Sequence, residues 1–315
     1  MIKFSLLMCI YEKDDPRHLA RCLESIKSLT VAPSEIVIVK DGPLTPLLDE
    51  TLNAQGFTAP VISGIASFVK GCEMNVVSLP QSMTLGPARA AGVLAARHEW
   101  IAVMDSDDIL VADRFEKQLA MIADNPQLGL VGGQIKEFTQ PHKGAQQGQD
   151  GENDCHLEID AKANRSFSAR IVPTSHEEIV KYAKWRNPFN HMTVMFRKDA
   201  ALLAGNYRYF PWMEDYDLWA RMIARGTKCA NHPDILVEAR VSRATFERRR
   251  GIEYIKSEWR LQKELKSLGI ISIIGFVRNA ALRIPARLMP GAVLGVVYKC
   301  FARREKQKMS NKQDF

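Results

Sequence analysis

The sequence predicts an α/β fold, a mostly parallel sheet flanked by helices, and three observations carry that prediction. Short continuous apolar runs recur at residues 4–10, 35–39, 75–79 and 100–104, amphipathic patterns separate them, and polar clusters follow several of the runs directly. Runs apolar on both faces belong in a sheet covered on both sides, and their alternation with helical segments is the pattern of parallel strands joined by crossovers. In such sheets ligands bind beyond the carboxyl ends of the strands, so the residues just after each run are the ones that matter.

Taken in order, the first run ends at Tyr11 and Glu12, and RHLARCLESIKSL (17–29) supplies a helix. The run EIVIV (35–39) stops just before Asp41. In LGPARAAGVLAA (85–96), Gly86 and Pro87 open a helix with Arg89 in its first turn. Gly-Pro is an ordinary helix-starting device, yet a helix N-terminus with an added guanidinium also suits phosphate. The run WIAVM (100–104) then enters D-S-D-D, three carboxylates (Asp105, Asp107, Asp108) in four positions. Helical character follows over 108–124, a polar excursion within the domain over 139–168, and a helix over 175–186 that Ser175 and Glu178 open as a capping box. HMTVMF (191–196) reads as strand, and another helix begins near Glu214. No internal repeat is present.

The 315 residues carry a formal charge of +7, unevenly placed: residues 1–240 hold 26 Lys and Arg against 30 Asp and Glu, residues 241–315 hold 17 against 6. Any partner for the basicity belongs to the C-terminal region. The six cysteines are widely spaced, without C-x-x-C pairs, which predicts reduced thiols and a cytoplasmic chain. The N-terminus reads as a buried strand in preference to a signal peptide.

Two acidic clusters carry chemistry. D-S-D-D reads either as a solvated turn or helix cap, or as oxygen ligands for a hard divalent cation, Mg²⁺ or Mn²⁺, delivered by a buried strand to the ligand edge of the sheet. An EF-hand fits less well, because Leu110 occupies the position that needs glycine. The phosphate loops G-x-x-x-x-G-K-[ST] and G-x-G-x-x-G are absent, so a nucleotide would be held by carboxylates, metal and Arg. The second cluster is Glu214, Asp215 and Asp217, beside Trp212, Tyr216 and Trp219. First-turn acids are favourable in themselves. A carboxylate beside partly desolvated aromatic surface can also have a raised pKa and serve as a general base.

Tyr11 at the end of the first strand, VKDGP (39–43), GPARAAG (86–92), VMDSDD (103–108) and MEDYDLW (213–219), in this order, resemble the family 2 glycosyltransferases of the GT-A fold. NPFNHMTVMFRK (187–198) resembles the subgroup that builds bacterial exopolysaccharide and capsule, such as the amylovoran transferases. The resemblance implies a catalytic domain over 1–240 that moves a sugar, with inversion, from a nucleotide-diphosphate donor such as a UDP-sugar to a polyprenyl-diphosphate-linked saccharide. It implies that Tyr11 stacks near the base, Glu12 lies by the ribose, Asp41 accepts a hydrogen bond from the base, and Arg89 approaches the diphosphate. Asp105 would touch the ribose, Asp107 the metal together with Asp105, and Asp215, paired with Glu214, would be the base. Asn190, His191 and Trp212 are candidate acceptor residues, although a lone His beside a buried strand is more often a structural histidine. The family's usual Pro-Thr-Tyr-Asn after the first strand reads CIYE (9–12) here, with Glu12 in place of Asn.

Residues 241–315 form a basic helical region. Arg278, Arg283 and Arg287 interrupt its apolar stretches, which argues against a spanning helix. The plain alternative is a helical appendage packed on the domain, but apolar stretches framed by Arg and Lys favour a helix lying in the inner face of the plasma membrane. Nucleic acid is not indicated, since no recognised module is present. A non-catalytic sugar-nucleotide-binding module and a sugar-phosphate nucleotidyltransferase are the rival functions, the latter lacking its Gly-rich basic loop.

Overall fold

The computed structural model describes residues 2–57, 72–138, 167–241 and 251–288. Most of the polar excursion, the arginines at 248–250, the chain beyond 288, Cys155 and Cys300 lie outside the described residues.

The first half runs β1 (Phe4–Ile10), α1 (Pro16–Lys27), β2 (Glu35–Lys40), α2 (Pro46–Ala54), β3 (Glu73–Ser78), α3 (Leu85–Ala95) and β4 (Trp100–Met104). These strands pair in parallel in the order β3-β2-β1-β4. The chain steps outward from β1 to β3, and α3 then carries it back to the other side of β1. That reversal opens a crevice beyond the carboxyl ends of β1 and β4, the place where such sheets bind ligands. Asp15 and Thr45 cap α1 and α2, each followed by a proline whose missing N–H costs nothing there.

The second half is mixed. It contains β5 (Ile109–Leu110), α4 (Arg114–Asp124), β6 (Leu128–Phe138), β7 (Phe167–Arg170), α5 (His176–Tyr182), a 3₁₀ turn (His191–Thr193), β8 (Met195–Arg197), α6 (Lys198–Leu203), α7 (Glu214–Ala224) and β9 (Lys228–Arg240). β8 runs antiparallel to both β4 and β6, β6 runs parallel to β9, and β5 and β7 pair antiparallel with β9 and β6. The helix expected from residue 108 starts at Arg114, because Ile109 and Leu110 pair with β9 first. HMTVMF divides between the 3₁₀ turn and β8. Ser175 caps α5 as expected, its hydroxyl accepting from Glu178 N–H.

Alternation along each strand sorts the core onto two faces. Leu6, Met8, Ile10, Ile36, Ile38, Ala102 and Met104 pack with α1, α2 and α4, whereas Leu7, Val37, Val39, Ile101 and Val103 pack with α3 and α7 around Trp219. A third cluster joins α7 to a C-terminal helical hairpin, α8 (Ile252–Ser267) and α9 (Ile273–Leu288): Met213, Tyr216 and Ala220 meet Tyr254, Leu261 and Leu265. The hairpin over 252–288 is therefore packed on α7. The four described cysteines are free, and burial pushes Cys9 and Cys229 up to about 12 and Cys72 up to about 11, so these thiols are inert at neutral pH.

Gly92 sets how closely α3 lies on the sheet. A Cβ there would stand 2.3 Å from Leu7 Cδ1 and 2.9 Å from Val39 Cγ2. Gly92→Ala is expected to destabilise the protein by about 1–3 kcal/mol, the usual cost of overpacking a well-filled core. Urea unfolding measures it; an unchanged midpoint would mean that α3 shifts freely.

Candidate active site

The two acidic clusters meet through one arginine. Asp105, immediately after β4, accepts a hydrogen bond from Arg89 Nη2 at 2.8 Å, and Glu214, the first residue of α7, accepts one from Arg89 Nη1 at 2.7 Å. Arg89 is only 5% exposed. Gly86 allows this approach, since a Cβ there would sit 2.3 Å from the Arg208 carbonyl oxygen. The expected diphosphate ligand is thus a guanidinium already committed at both terminal nitrogens, spanning β4 and α7.

Burial pushes the Glu214 carboxyl up to about 7, against the pull of Arg89 and with a further push from Asp215. Asp215 is also raised, chiefly by burial; Arg89, Arg170, the Tyr216 N–H and Asn187 oppose the shift. Its Oδ1 accepts from Tyr216 N–H and its Oδ2 from Asn187 Nδ2, each at 2.7 Å. Asp217 has a different task. It is fully buried between Arg208 and Arg221, which grip it at 2.6–3.1 Å. Two of the three acids therefore belong to the site and the third holds α7 in place.

A further carboxylate joins Asp105 and Asp107 at the end of β4. Asp14 accepts from Ser106 Oγ at 2.9 Å and from Tyr11 N–H at 3.2 Å, and burial, with the charges of Asp107 and Asp105, pushes it up to about 6. The doubled acid before Pro16 was the available signal, because one Asp suffices for the α1 cap and Asp15 fills that role. Asp108 turns inward. Its Oδ1 accepts from Arg240 N–H at 2.8 Å, its Oδ2 is buried without a partner, and burial raises its pKa well above the usual range.

Among the described residues, no group of three or more His, Cys, Asp or Glu side chains is arranged to hold a metal by itself. Asp105 and Asp107 nonetheless fit a hard cation of the kind that takes one or two protein carboxylates and fills its other positions with phosphate oxygens and water. The chemistry of this all-oxygen pair agrees with that fit, as does the buried Asp108 Oδ2 beside it, which has no partner and is crowded by the charges of Asp105 and Asp107.

The other expected residues divide between surface and interior. Tyr11 is 37% exposed and Glu12 lies in solvent. Asp41 is buried and accepts from Ser82 Oγ at 3.0 Å and Met83 N–H at 2.6 Å, so it also orders the loop before α3. Of the candidate acceptor residues, Asn190 is fully buried and donates to the Gly133 carbonyl at 2.8 Å. His191 is buried, stacked on Trp219 at 6.1 Å, and its pKa is pushed well below the usual range by burial and by the charges of Arg89 and Arg114. Trp212 is the surface member, 44% exposed, with φ at 61° and its ring 5.7 Å from that of Tyr254.

A parallel half-sheet with acids at the end of its fourth strand faces a helix that begins with acids. The family model for glycosyl transferase family 2 matches residues 5–202, and the chain belongs to that family. It is 33% identical over 302 residues to the amylovoran biosynthesis glycosyltransferase AmsE of Erwinia amylovora, covering 94% of this chain and 98% of that one. It is 32% identical, over 96% of this chain and 97% of the other, to the UDP-Gal:alpha-D-GlcNAc-diphosphoundecaprenol beta-1,3-galactosyltransferase of Escherichia coli. Among solved structures, the mannosyltransferase PcManGT of Pyrobaculum calidifontis, in complex with GDP-Man and Mn²⁺, superposes with a TM-score of 0.56 at 13% identity, over 95% of this chain and 80% of that one. The protein is a family 2 glycosyltransferase with a GT-A fold.

Removing Arg89 strands a buried Glu214 and frees Asp105. Arg89→Ala is expected to destabilise the protein by about 3–5 kcal/mol, the usual result of breaking a buried ion pair from one side. Arg89→Lys, which offers one compact ammonium in place of a fork, should recover only part of that. Urea midpoints equal to that of the wild type would show that the arginine holds nothing.

Proposed function

We propose that the enzyme transfers a sugar from a nucleotide-diphosphate donor, a UDP-sugar, to a saccharide carried on polyprenyl diphosphate, in exopolysaccharide or O-antigen synthesis. The observation that carries the reading is the convergence of the β4 acids and the α7 acids on Arg89. The name of the Escherichia coli relative supports a lipid-linked acceptor and a UDP donor, and that of the Erwinia amylovora relative supports exopolysaccharide synthesis.

In this reading Tyr11, Glu12, Asp41 and Asp105 line the nucleoside end of the donor, and Asp105 and Asp107 hold a divalent cation, Mn²⁺ or Mg²⁺. When bound, that cation neutralises charge on the departing diphosphate. The acceptor hydroxyl attacks the anomeric carbon from the face opposite the diphosphate. The new C–O bond forms as the bond to the diphosphate breaks, and the nucleoside diphosphate leaves with the electron pair. Asp215 takes the hydroxyl proton, and the anomeric centre inverts. Arg89 keeps Asp105 and Glu214 in register during the exchange, and Trp212 offers the acceptor sugar an exposed aromatic face.

The acceptor's lipid places the reaction at a membrane, and α9 suits that surface. Its inner face bonds to the domain through Asn279, which donates to the Lys184 carbonyl and to Gln262 Oε1, each at 2.9 Å. Its outer face leaves Ile273, Ile274, Val277 and Leu282 exposed by 55–78%. Among the described residues no helix is long and apolar enough to cross a membrane. An apolar face on a region with 17 basic and 6 acidic residues fits a helix lying on an anionic bilayer.

Two experiments test these statements. Label from UDP-galactose, UDP-glucose or UDP-N-acetylglucosamine should enter a bacterial lipid extract only with Mn²⁺ or Mg²⁺, and Asp107→Asn and Asp215→Asn should each abolish it; transfer that survives Asp215→Asn removes that residue as the base. The full chain should sediment with phosphatidylglycerol vesicles and not with phosphatidylcholine ones, and Ile274→Asp with Val277→Asp should release it. Equal sedimentation of wild type and double variant would contradict the assignment of α9.

A further inference from the structure

A base that removes a proton in step with attack must be ionised and correctly aimed. Resting on the reading of Asp215 as that base, we propose that Asn187 is its positioning residue, aiming the carboxylate and holding it in the charged form.

The geometry of Asn187 is determined at both ends. Its Oδ1 accepts the Phe189 N–H at 3.2 Å, which leaves its Nδ2, the donor end, facing Asp215 Oδ2 at 2.7 Å. The segment that carries it is held at several points. Arg170 Nη2 lies 3.5 Å from the Asn187 carbonyl, Asn231 Nδ2 donates to the Pro188 carbonyl at 3.1 Å, and Asn190 donates to Gly133. Pro188 stiffens the chain between Asn187 and Phe189, whose N–H the Asn187 amide accepts. Asn187 thus meets Asp215 from a rigid loop outside α7, whereas Oδ1 is held from within the helix by Tyr216 N–H. Two hydrogen bonds, one on each oxygen, fix the carboxylate plane and leave each oxygen a further lone pair for the acceptor hydroxyl.

Both bonds favour the ionised form, because a protonated carboxyl gains less from a donor. The other groups facing Asp215 are Arg89 from α3 and Arg170 from β7, which favour the charge, and Glu214, Tyr207 and Tyr216. The two arginines are tied elsewhere, Arg89 to Asp105 and Glu214 and Arg170 to the Asn187 carbonyl. Removing the Asn187 amide takes away a donor to the anion, so the pKa of Asp215 rises and the base is lost at a higher pH.

The test is a ¹³C NMR titration of carboxyl-labelled aspartate in the full chain, with Asp215 assigned by its absence in Asp215→Asn, beside the pH profile of kcat with the UDP-sugar that supports transfer. Asn187→Ala should move the Asp215 titration to higher pH. It should move the acid limb of kcat the same way and lower kcat about 10- to 100-fold, with the donor KM within about twofold of wild type. Asn187→Asp keeps the size and the Phe189 contact and puts a second carboxylate against the first, so its shift should be larger. A loss of kcat with an unmoved titration would make Asn187 a merely structural residue and overturn the proposal, as would wild-type behaviour of both variants. Failure of both to fold, seen by circular dichroism, would overturn it equally. A wild type that transfers no sugar, or an active Asp215→Asn, fails the proposed function; an inactive Asp215→Asn beside a normal Asn187→Ala fails this inference alone.

Discussion

The Arg89 guanidinium, buried between Asp105 and Glu214, is the constraint on which the site depends. A charge removed from water must find partners of opposite sign with good geometry, and this one finds them on two elements far apart in the chain. One belongs to the end of the parallel sheet and the other to the helix that faces it. The pairing fixes their separation, and with it the distance between the donor side and the acceptor side of the proposed reaction. α3 can serve this purpose because Gly92 seats it against β1 and β2 and Gly86 lets its first turn pass under the Arg208 carbonyl.

Neighbouring acids are given different environments, and that difference separates their roles. Glu214 is gripped by a full positive charge yet is so buried that its carboxyl is pushed up to about 7. Asp215, the next residue, keeps one oxygen on a helix N–H and the other on a neutral amide, with lone pairs to spare. Asp217 is consumed by Arg208 and Arg221 and contributes rigidity alone. Adjacent carboxylates whose environments diverge are the arrangement from which acid and base assignments arise. The same logic holds at the end of β4, where Asp108 turns inward to Arg240 and leaves Asp105 and Asp107 at the crevice.

Much of the parallel half was legible in the sequence because its strands are continuous apolar runs and its crossovers are amphipathic. β6 and β9 escaped that reading. β6 carries a Gly-Gly pair, and β9 mixes polar residues with Pro233 at the point where its register with β6 slips between His232 and Ile235. A proline is tolerated in a strand at such an irregularity, and no periodicity in the sequence announces it. The acidic clusters were legible as clusters, but which carboxylate faces the crevice depends on partners more than a hundred residues away, such as Glu214 for Arg89 and Arg240 for Asp108. Asn190 and His191 look like ligands in sequence because both are polar, whereas in the fold both are enclosed by the second core face and the strands beside it.

A double-mutant cycle on stability between Asp105→Asn and Glu214→Gln, made once with Arg89 present and once in Arg89→Met, reads the coupling through this arginine. If Arg89 couples the two acids, the cycle should show an interaction of about 0.5–3 kcal/mol that vanishes when the arginine is replaced. Additive effects with Arg89 in place would mean that the sheet end and α7 are held independently, and would contradict the account of how this site is built.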